Sequence, residues 1–282
     1  MNENPTVEMY DGITYDGSGT GQFTSNLVNL YGQTTYYVRA WAQNEAGISY
    51  GDQLSFTTYY GIVTDIDGNS YNTVMIGDQE WMAENLRTTS VNIEEPIPEV
   101  TDDSEWAGDP GWAYCWYDNN GDKYGEVYGA LYNYHVIFSG LLCPVGWRVP
   151  TRDDWDTLIE TAGGPSVAGG KLKSTTVHWQ DPNAGATNEF SFNALPGGIR
   201  TGKETETASA GEFVFMGEFG VWAAYAFTWE GDSGGSIYLM HYNQEYALEG
   251  YLEVKAGVSV RCIRGEPTEI EIIGSPPGVV LP

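Results

Sequence analysis

The chain has 282 residues, 12 Lys+Arg against 39 Asp+Glu, and a formal net charge of −27. That length allows one large domain or two modest ones, either able to bury a core. So acidic a chain lacks the basic stripe that nucleic acid or an anionic membrane surface requires, and no apolar run approaches the roughly 18 residues of a membrane span.

Thirty-six glycines and an aromatic share of 14% point to a turn-rich, mainly β chain rather than a disordered acidic tail. The start, Met1-Asn2-Glu3-Asn4-Pro5, carries neither the basic nor the apolar run of a signal peptide. The expectation is therefore a cytosolic protein or a mature, trimmed one. Three cysteines, Cys115, Cys143 and Cys262, show no Cys-x-x-Cys spacing. One long-range bridge with an odd thiol and three buried thiols both remain open.

In chain order, Gly17-Ser18-Gly19-Thr20-Gly21 punctuates a stretch with strand character over 23–30, 34–43 and 48–57. Tyr36, Val38, Ala40 and Ala42 alternate with Tyr37, Arg39, Trp41 and Gln43, a period of two. Asn44-Glu45-Ala46-Gly47 reads as a hairpin connection with glycine at the positive-φ position. Three segments carry a resemblance: Thr35-Tyr36-Tyr37-Val38-Arg39-Ala40-Trp41-Ala42, Asn44-x-Ala46-Gly47 and Gly51-x-x-Leu54-Ser55-Phe56-Thr57-Thr58. Together they resemble the second half of a fibronectin type III domain. A full sandwich takes about 100 residues, so residues 1–58 are expected to form a partial one with an apolar face left open.

Residues 59–265 read as one unit. Asp65-Ile66-Asp67-Gly68-Asn69 joins short strands at 61–64 and 71–76. Residues 81–86 suggest a short helical turn, 88–110 an acidic solvated loop, and 128–142 a core helix. Thr151-Arg152-Asp153-Asp154 looks like a capped helix start, with Trp155, Leu158 and Ile159 on one face and Gly163-Gly164-Pro165 as the stop.

Six motifs run in order through this unit: Trp81-Met82-Ala83-Glu84-Asn85-Leu86; Tyr114-Cys115-Trp116-Tyr117-Asp118-Asn119; Tyr128-Gly129-Ala130-Leu131-Tyr132-Asn133; Cys143-Pro144-x-Gly146-Trp147-Arg148-Val149-Pro150-Thr151; Asn188-Glu189-x-x-x-Phe192-x-Ala194-Leu195-Pro196-Gly197-Gly198; and Ser259-Val260-Arg261-Cys262. Together they resemble the Fibrobacter succinogenes major paralogous domain of secreted and surface proteins. That domain is similar to the C-type-lectin-like fold of formylglycine-generating enzymes and of retroelement-diversified variable proteins. The fold class expected is α+β, mainly β: a partial immunoglobulin-like or fibronectin-type-III-like sandwich over 1–58, a C-type-lectin-like domain with about two helices over 59–265, and an extended tail over 266–282. In the tail, residues 268–273 alternate like an edge strand, and Pro276-Pro277 stiffens the chain towards an extended conformation.

Four constellations bear on function. Trp222, Tyr225, Trp229, Tyr238, His241, Tyr242, Tyr246 and Tyr251 crowd one window, and the resemblance implies that this late segment forms a binding face for a glycan or protein ligand. The opposing reading is that alternate residues fill the core. Asp118, Asn120, Asp122 and Glu126 place oxygens at alternate positions, an expected structural calcium site; Asp65-x-Asp67-Gly68-Asn69 reads equally well as a turn. Neither Glu-Pro-Asn nor Gln-Pro-Asp, the sugar-reading tripeptides of C-type lectins, occurs. Acid pairs such as Glu94-Glu95 and Asp102-Asp103 read as solvated charge. For cysteine catalysis His135, His178 and His241 are available, but Cys143 and Cys262 read better as disulfide partners tying the late helical region to the final strand. No catalytic residue is expected.

The resulting expectation is a non-enzymatic extracellular or cell-surface protein for adhesion or ligand binding, with no nucleic-acid partner and no membrane span. Two alternatives stand beside it. One is a filament subunit assembled head to tail, the tail of one molecule completing the partial sandwich of the next. The other is an enzyme of the formylglycine-generating lineage.

Overall fold

The computed structural model describes residues 3–10, 12–19, 21–25, 27, 34–228 and 234–265, together with the backbone of 271–273. The chain divides into two compact units, Met1–Gly61 and Ile62–Pro282.

In the first unit, β1 (Thr35–Asn44) and β2 (Gly47–Thr57) form an antiparallel hairpin. Gly47 takes the turn at φ 134°, which a side chain would resist, and the Ala46 amide donates to Asn44 Oδ1 at 2.8 Å. Tyr36 and Phe56 stack across the pair at 5.8 Å, yet Leu54 is 68% exposed. Phe23, Thr24, Ser25 and Leu27 have no strand pairing, and the rest of the strand expected at 23–30 lies outside the described residues. A two-stranded ribbon of this kind has little independent stability.

The second unit is α+β and mainly β, built around two sheets. β3 (Gly61–Thr64) and β4 (Ser70–Ile76) flank the Asp65 turn. The Asp65 carboxylate accepts from the amides of Asp67 and Asn69 at 3.0 and 2.9 Å and from Tyr71 Oη at 2.6 Å. β5 (Gln79–Met82) comes next, so Trp81 and Met82 are strand, not helix. The expected helical turn at 81–86 is instead stitched to the end of the chain: Met82 and Leu86 donate to the carbonyls of Cys262 and Val260.

β6 (Ser90–Val91), β7 (Glu95–Pro96) and α1 (Asp103–Ala107) occupy the stretch expected to be a solvated loop. Its acids are exposed, but Ile97, Val100 and Trp106 are buried. β8 (Tyr114–Cys115) pairs with β9 (Leu131–Tyr132), with α2 (Gly121–Tyr128) between them and α3 (Tyr134–Ile137) just after. The core helix expected over 128–142 is therefore absent. Gly129, at φ 75°, ends α2, and Asn133 caps a single turn. The apolar run exists because the chain crosses the core there: Ala130, Tyr132, Tyr134, Val136 and Ile137 are fully buried.

β10 (Trp147–Arg148) leads into α4 (Arg152–Thr161), which has the expected capping box between Thr151 and Asp154. Trp155, Leu158 and Ile159 are its buried face. α5 (Ala168–Leu172), β11 (Ile199–Arg200) and β12 (Phe213–Val214) precede the long strands β13 (Phe219–Thr228), β14 (Gly234–His241) and β15 (Ala247–Glu253). β16 (Ile263–Arg264) and β17 (Glu271–Ile273) end the order.

One sheet runs β10-β16-β5-β4-β3 and the other β15-β14-β13-β17. β14 is buried on both faces except at His241. Gly235 lies where a Cβ would sit 1.8 Å from the Tyr134 ring, so only glycine fits. From the tail, β17 pairs in parallel with β13 of its own chain at Ala226, Phe227 and Thr228. The remaining tail expectations lie outside the described residues. Cys143 and Cys262 form a disulfide with Cα atoms 6.0 Å apart across 119 residues, as expected.

The candidate recognition surface

Beneath the surface, the family-like motifs converge on one buried hub. Asn85 Oδ1 accepts from Trp222 Nε1 at 2.8 Å and from Arg261 Nη2 at 2.8 Å and Nε at 3.2 Å, while Asn85 Nδ2 donates to the Tyr128 carbonyl. The Arg261 guanidinium also donates to the carbonyls of Phe192 and Asn193 and lies 4.3 Å from the Phe192 ring centre. Arg261, Trp222 and Phe192 are all fully buried. A buried cation costs several kcal/mol unless every donor is met, and here two motifs, those of Asn85 and of Phe192, supply the acceptors.

The late aromatic window divides in two. Trp222, Tyr225 and Tyr238 are core residues: Tyr225 Oη donates to the Phe138 carbonyl and Tyr238 Oη to Asp156 Oδ1, and neither ring is free to meet a ligand. They correct the expectation of one exposed face, because β13 and β14 run through the middle of a sheet buried on both sides. His241, Tyr242, Tyr246 and Tyr251 are half-buried and reach the surface. Trp229 lies outside the described residues.

His241 belongs to a larger aromatic band that the sequence did not single out. One row of rings runs Phe215 to Phe219 at 5.2 Å, Phe219 to His241 at 4.2 Å, and His241 to Tyr242 at 4.5 Å. A second runs Phe213 to Tyr117 at 5.3 Å, Tyr117 to Tyr124 at 5.6 Å, Tyr124 to Tyr128 at 6.1 Å, and Tyr128 to His178 at 5.4 Å. All of these rings are half-buried, and Phe213, Phe215, Phe219 and Tyr117 pack against the core clusters. Pro196-Gly197-Gly198 seats both rows. A Cβ at Gly198 would lie 3.0 Å from the Tyr117 ring, and the Gly198 amide donates to the Phe219 carbonyl at 3.0 Å. Gly197 faces Tyr128, and the Pro196 carbonyl accepts from Gly217. Burial raises the hydroxyl pKa of both Tyr117 and Tyr128, so both stay neutral donors at physiological pH.

The turn bearing His241 and Tyr242 is held from beneath by Lys173, itself fully buried. Its ammonium donates to the carbonyls of His241 and Gln244, both at 2.9 Å, and lies 3.4 Å from that of Tyr242. Burial pushes its pKa down to about 8, against the pull of Glu245. Gly169 and Gly170 on α5 let the backbone approach: a Cβ at Gly169 would meet the Tyr246 carbonyl at 2.0 Å.

The expected calcium ligands are put to other uses. Asn120 caps α2 by accepting from the Lys123 amide, Glu126 faces Arg87 at 3.5 Å, and Asp118 sits in a 3-10 turn at φ 54°. Among the described residues no three His, Cys, Asp or Glu side chains form a group fit to hold a metal. Of the cysteines, Cys262 is bridged, and burial pushes the Cys115 thiol up to about 12 despite Arg200. His135 pairs with Asp109 and His178 with Tyr128, so no histidine reaches a thiol. Among the described residues no helix is long and apolar enough to cross a membrane.

The model of the Fibrobacter succinogenes major domain matches residues 74–264. No curated protein and no solved structure matches the chain. The matched span covers more than half of the sequence and contains the Asn85–Arg261 hub, the aromatic band and the disulfide, so the chain belongs to the Fibrobacter succinogenes major domain family.

Proposed function

We propose that this is a non-enzymatic surface protein whose aromatic band docks a protein partner. The observation that carries the reading is the band itself: two rows of half-buried rings on a rigid core, seated by Gly197 and Gly198. Tyrosine-rich surfaces give large contact area at low entropic cost. Neighbouring rings are tilted by 45° to 79°, which makes a ridged surface rather than the flat platform on which a sugar chain lies. The net charge of −27 favours a basic partner and steers its approach. An extracellular or cell-surface setting is supported by the Cys143–Cys262 bridge, since such bonds persist in oxidising compartments. Within this reading, the second unit is a C-type-lectin-like platform and the β1–β2 hairpin is the remnant of a fibronectin-type-III-like sandwich.

The test is selection of a random peptide library on the immobilised full chain, with a glycan array in parallel. Enriched peptides with apolar anchors and Lys or Arg, whose binding drops at least tenfold on the Tyr124→Ala/Tyr242→Ala variant, support the reading. Array binding that depends on the same two tyrosines transfers it to glycans. Binding indifferent to both residues excludes the band as the docking surface.

A second reading, a subunit of a surface filament, is favoured by β17, a short tail strand added to the edge of β13. In a filament the same tail strand would pair with an edge of the neighbouring molecule instead of its own β13. Polymers that persist after deletion of residues 266–282 would exclude tail donation.

A further inference from the structure

A cleft of about 410 Å³ opens on the second unit beside α2, the helix that also carries Tyr124 and Tyr128, and it is lined by Asp67, Asn69, Arg87, Trp116, Asp122 and Glu126 among others. That volume is in the range of small-molecule sites. Its polar groups come from separate segments; Asp67, Asn69 and Arg87 are held by supporting contacts, while Asp122 and Glu126 project from the exposed side of α2, Glu126 lying 3.5 Å from Arg87 Nε. Asn69 Nδ2 donates to Asp65, which is 7% exposed. Arg87 lies 4.8 Å from the ring centre of the fully buried Tyr71 and donates to the Ser70 carbonyl. Asp67 is fixed by Thr88, Thr89 and Ser90. Trp116 lies under α2, where Gly121 and Gly125 leave no Cβ to displace it: one at Gly121 would lie 2.8 Å from the indole. Glycines inside a helix cost about 1 kcal/mol each relative to alanine, so the close seat of the indole is held against a real energetic penalty. Groups held this firmly by supporting contacts are the mark of a preorganised site.

We propose that this cleft binds the pyranose ring of a neutral sugar. One face of Trp116 is covered by Gly121 and Gly125, and the part of the indole that lines the cleft offers an apolar surface to C–H groups of the ring. Arg87 Nη1, which has no protein partner among the described residues, donates to a ring hydroxyl, while Asp122, Glu126 and Asn69 Oδ1 accept from its neighbours. Each hydroxyl both donates and accepts, matching a cleft that mixes one guanidinium with carboxylates. An anionic ligand would face Asp67, Asp122 and Glu126. A divalent cation would face Arg87, and the three acids lining the cleft do not form a group fit to hold a metal among the described residues. The neutral sugar avoids both conflicts. This site stands whether or not the aromatic band binds protein.

The test is nuclear magnetic resonance titration of the full chain with methyl α- and β-glycosides of glucose, galactose and mannose, following the Arg87 Nε–H and Trp116 indole N–H signals. A saturable shift with a dissociation constant on the order of 1 mM is expected for a ligand of this size. Asp122→Asn and Glu126→Gln, both exposed substitutions, should each weaken it at least fivefold with the melting temperature unchanged. No saturable shift at concentrations on the order of 50 mM, a shift indifferent to both substitutions, or the same signals responding to calcium chloride instead would overturn the assignment.

Discussion

The buried hub and the aromatic band obey opposite rules. In the hub every polar atom of Asn85 and Arg261 is answered, and Asn85, Phe192 and Arg261 belong to the recognisable motifs, with Trp222 joining them from outside. In the band only Tyr117, Tyr128 and the glycines beneath them fall in those motifs; Tyr124, Phe213, Phe215, Phe219, His241 and Tyr242 do not. The comparison teaches that the family is identified by what holds its core together. Identity is then compatible with a surface free to change its ligand, because no ring of the band takes part in the hub's hydrogen bonds; Tyr128 contributes only its backbone carbonyl.

The sharpest way to break this contrast is to attack the hub. Asn85→Ala strands Trp222 Nε1 and leaves a buried guanidinium short of its acceptor, so a loss of about 3–5 kcal/mol is expected, read by chemical denaturation. A loss below about 1 kcal/mol would mean that the hub does not organise the core. Next in size is the clasp. Cys143→Ser/Cys262→Ser opens a loop of 119 residues, and chain-entropy arguments put the cost at up to about 5 kcal/mol. An unchanged melting temperature in the double variant would show that the ends of this loop are held by packing alone.

Lys173 joins the two regions, being buried like the hub yet holding the turn that carries His241 and Tyr242. Lys173→Met should cost about 2–3 kcal/mol at neutral pH, since it leaves the carbonyls of His241, Tyr242 and Gln244 without their donor. The pH dependence has a definite sign. Burial lowers the folded pKa from 10.5 to about 8, so between those values the unfolded chain holds more protons than the folded one. The energetic penalty on the charged form is full below pH 8 and is relieved as pH rises towards 10.5. Wild-type stability should therefore rise relative to Lys173→Met over that window, by at most about 1.4 kcal/mol per pH unit. A flat difference between the two proteins from pH 8 to 10 would show that the ammonium titrates as in water.

Much of the framework was legible in the sequence because its signals are local. Thr151 and Asp154 announce α4 through a capping box, Asn44 to Gly47 announce the first hairpin, and Cys143 and Cys262 close the late loop as expected. Helix α2 was not legible: Gly121 and Gly125 look like helix breakers and become reasonable only once Trp116 lies across them. The run at 128–142 misled because a chain crossing a core and one helix burying a face are equally apolar. The aromatic band was half legible. His241 and Tyr242 fall in a dense window, whereas Tyr117, Tyr124 and Phe215 are brought beside it by strand pairing and by glycine seats with no local signature. In the same window, Trp222 and Tyr238 have the composition of a binding face and the position of a core.

The smallest expected effect on stability carries the largest consequence for function. Tyr124→Ala/Tyr242→Ala should cost roughly 1 kcal/mol per site, as half-buried surface substitutions do, while abolishing capture of peptides selected on the wild-type chain. The decisive measurement is that pair of numbers on one protein sample, melting temperature and peptide affinity. A folded variant that no longer binds is the result expected of a docking band laid over an independent core. A folded variant that binds as well as the wild type would contradict it.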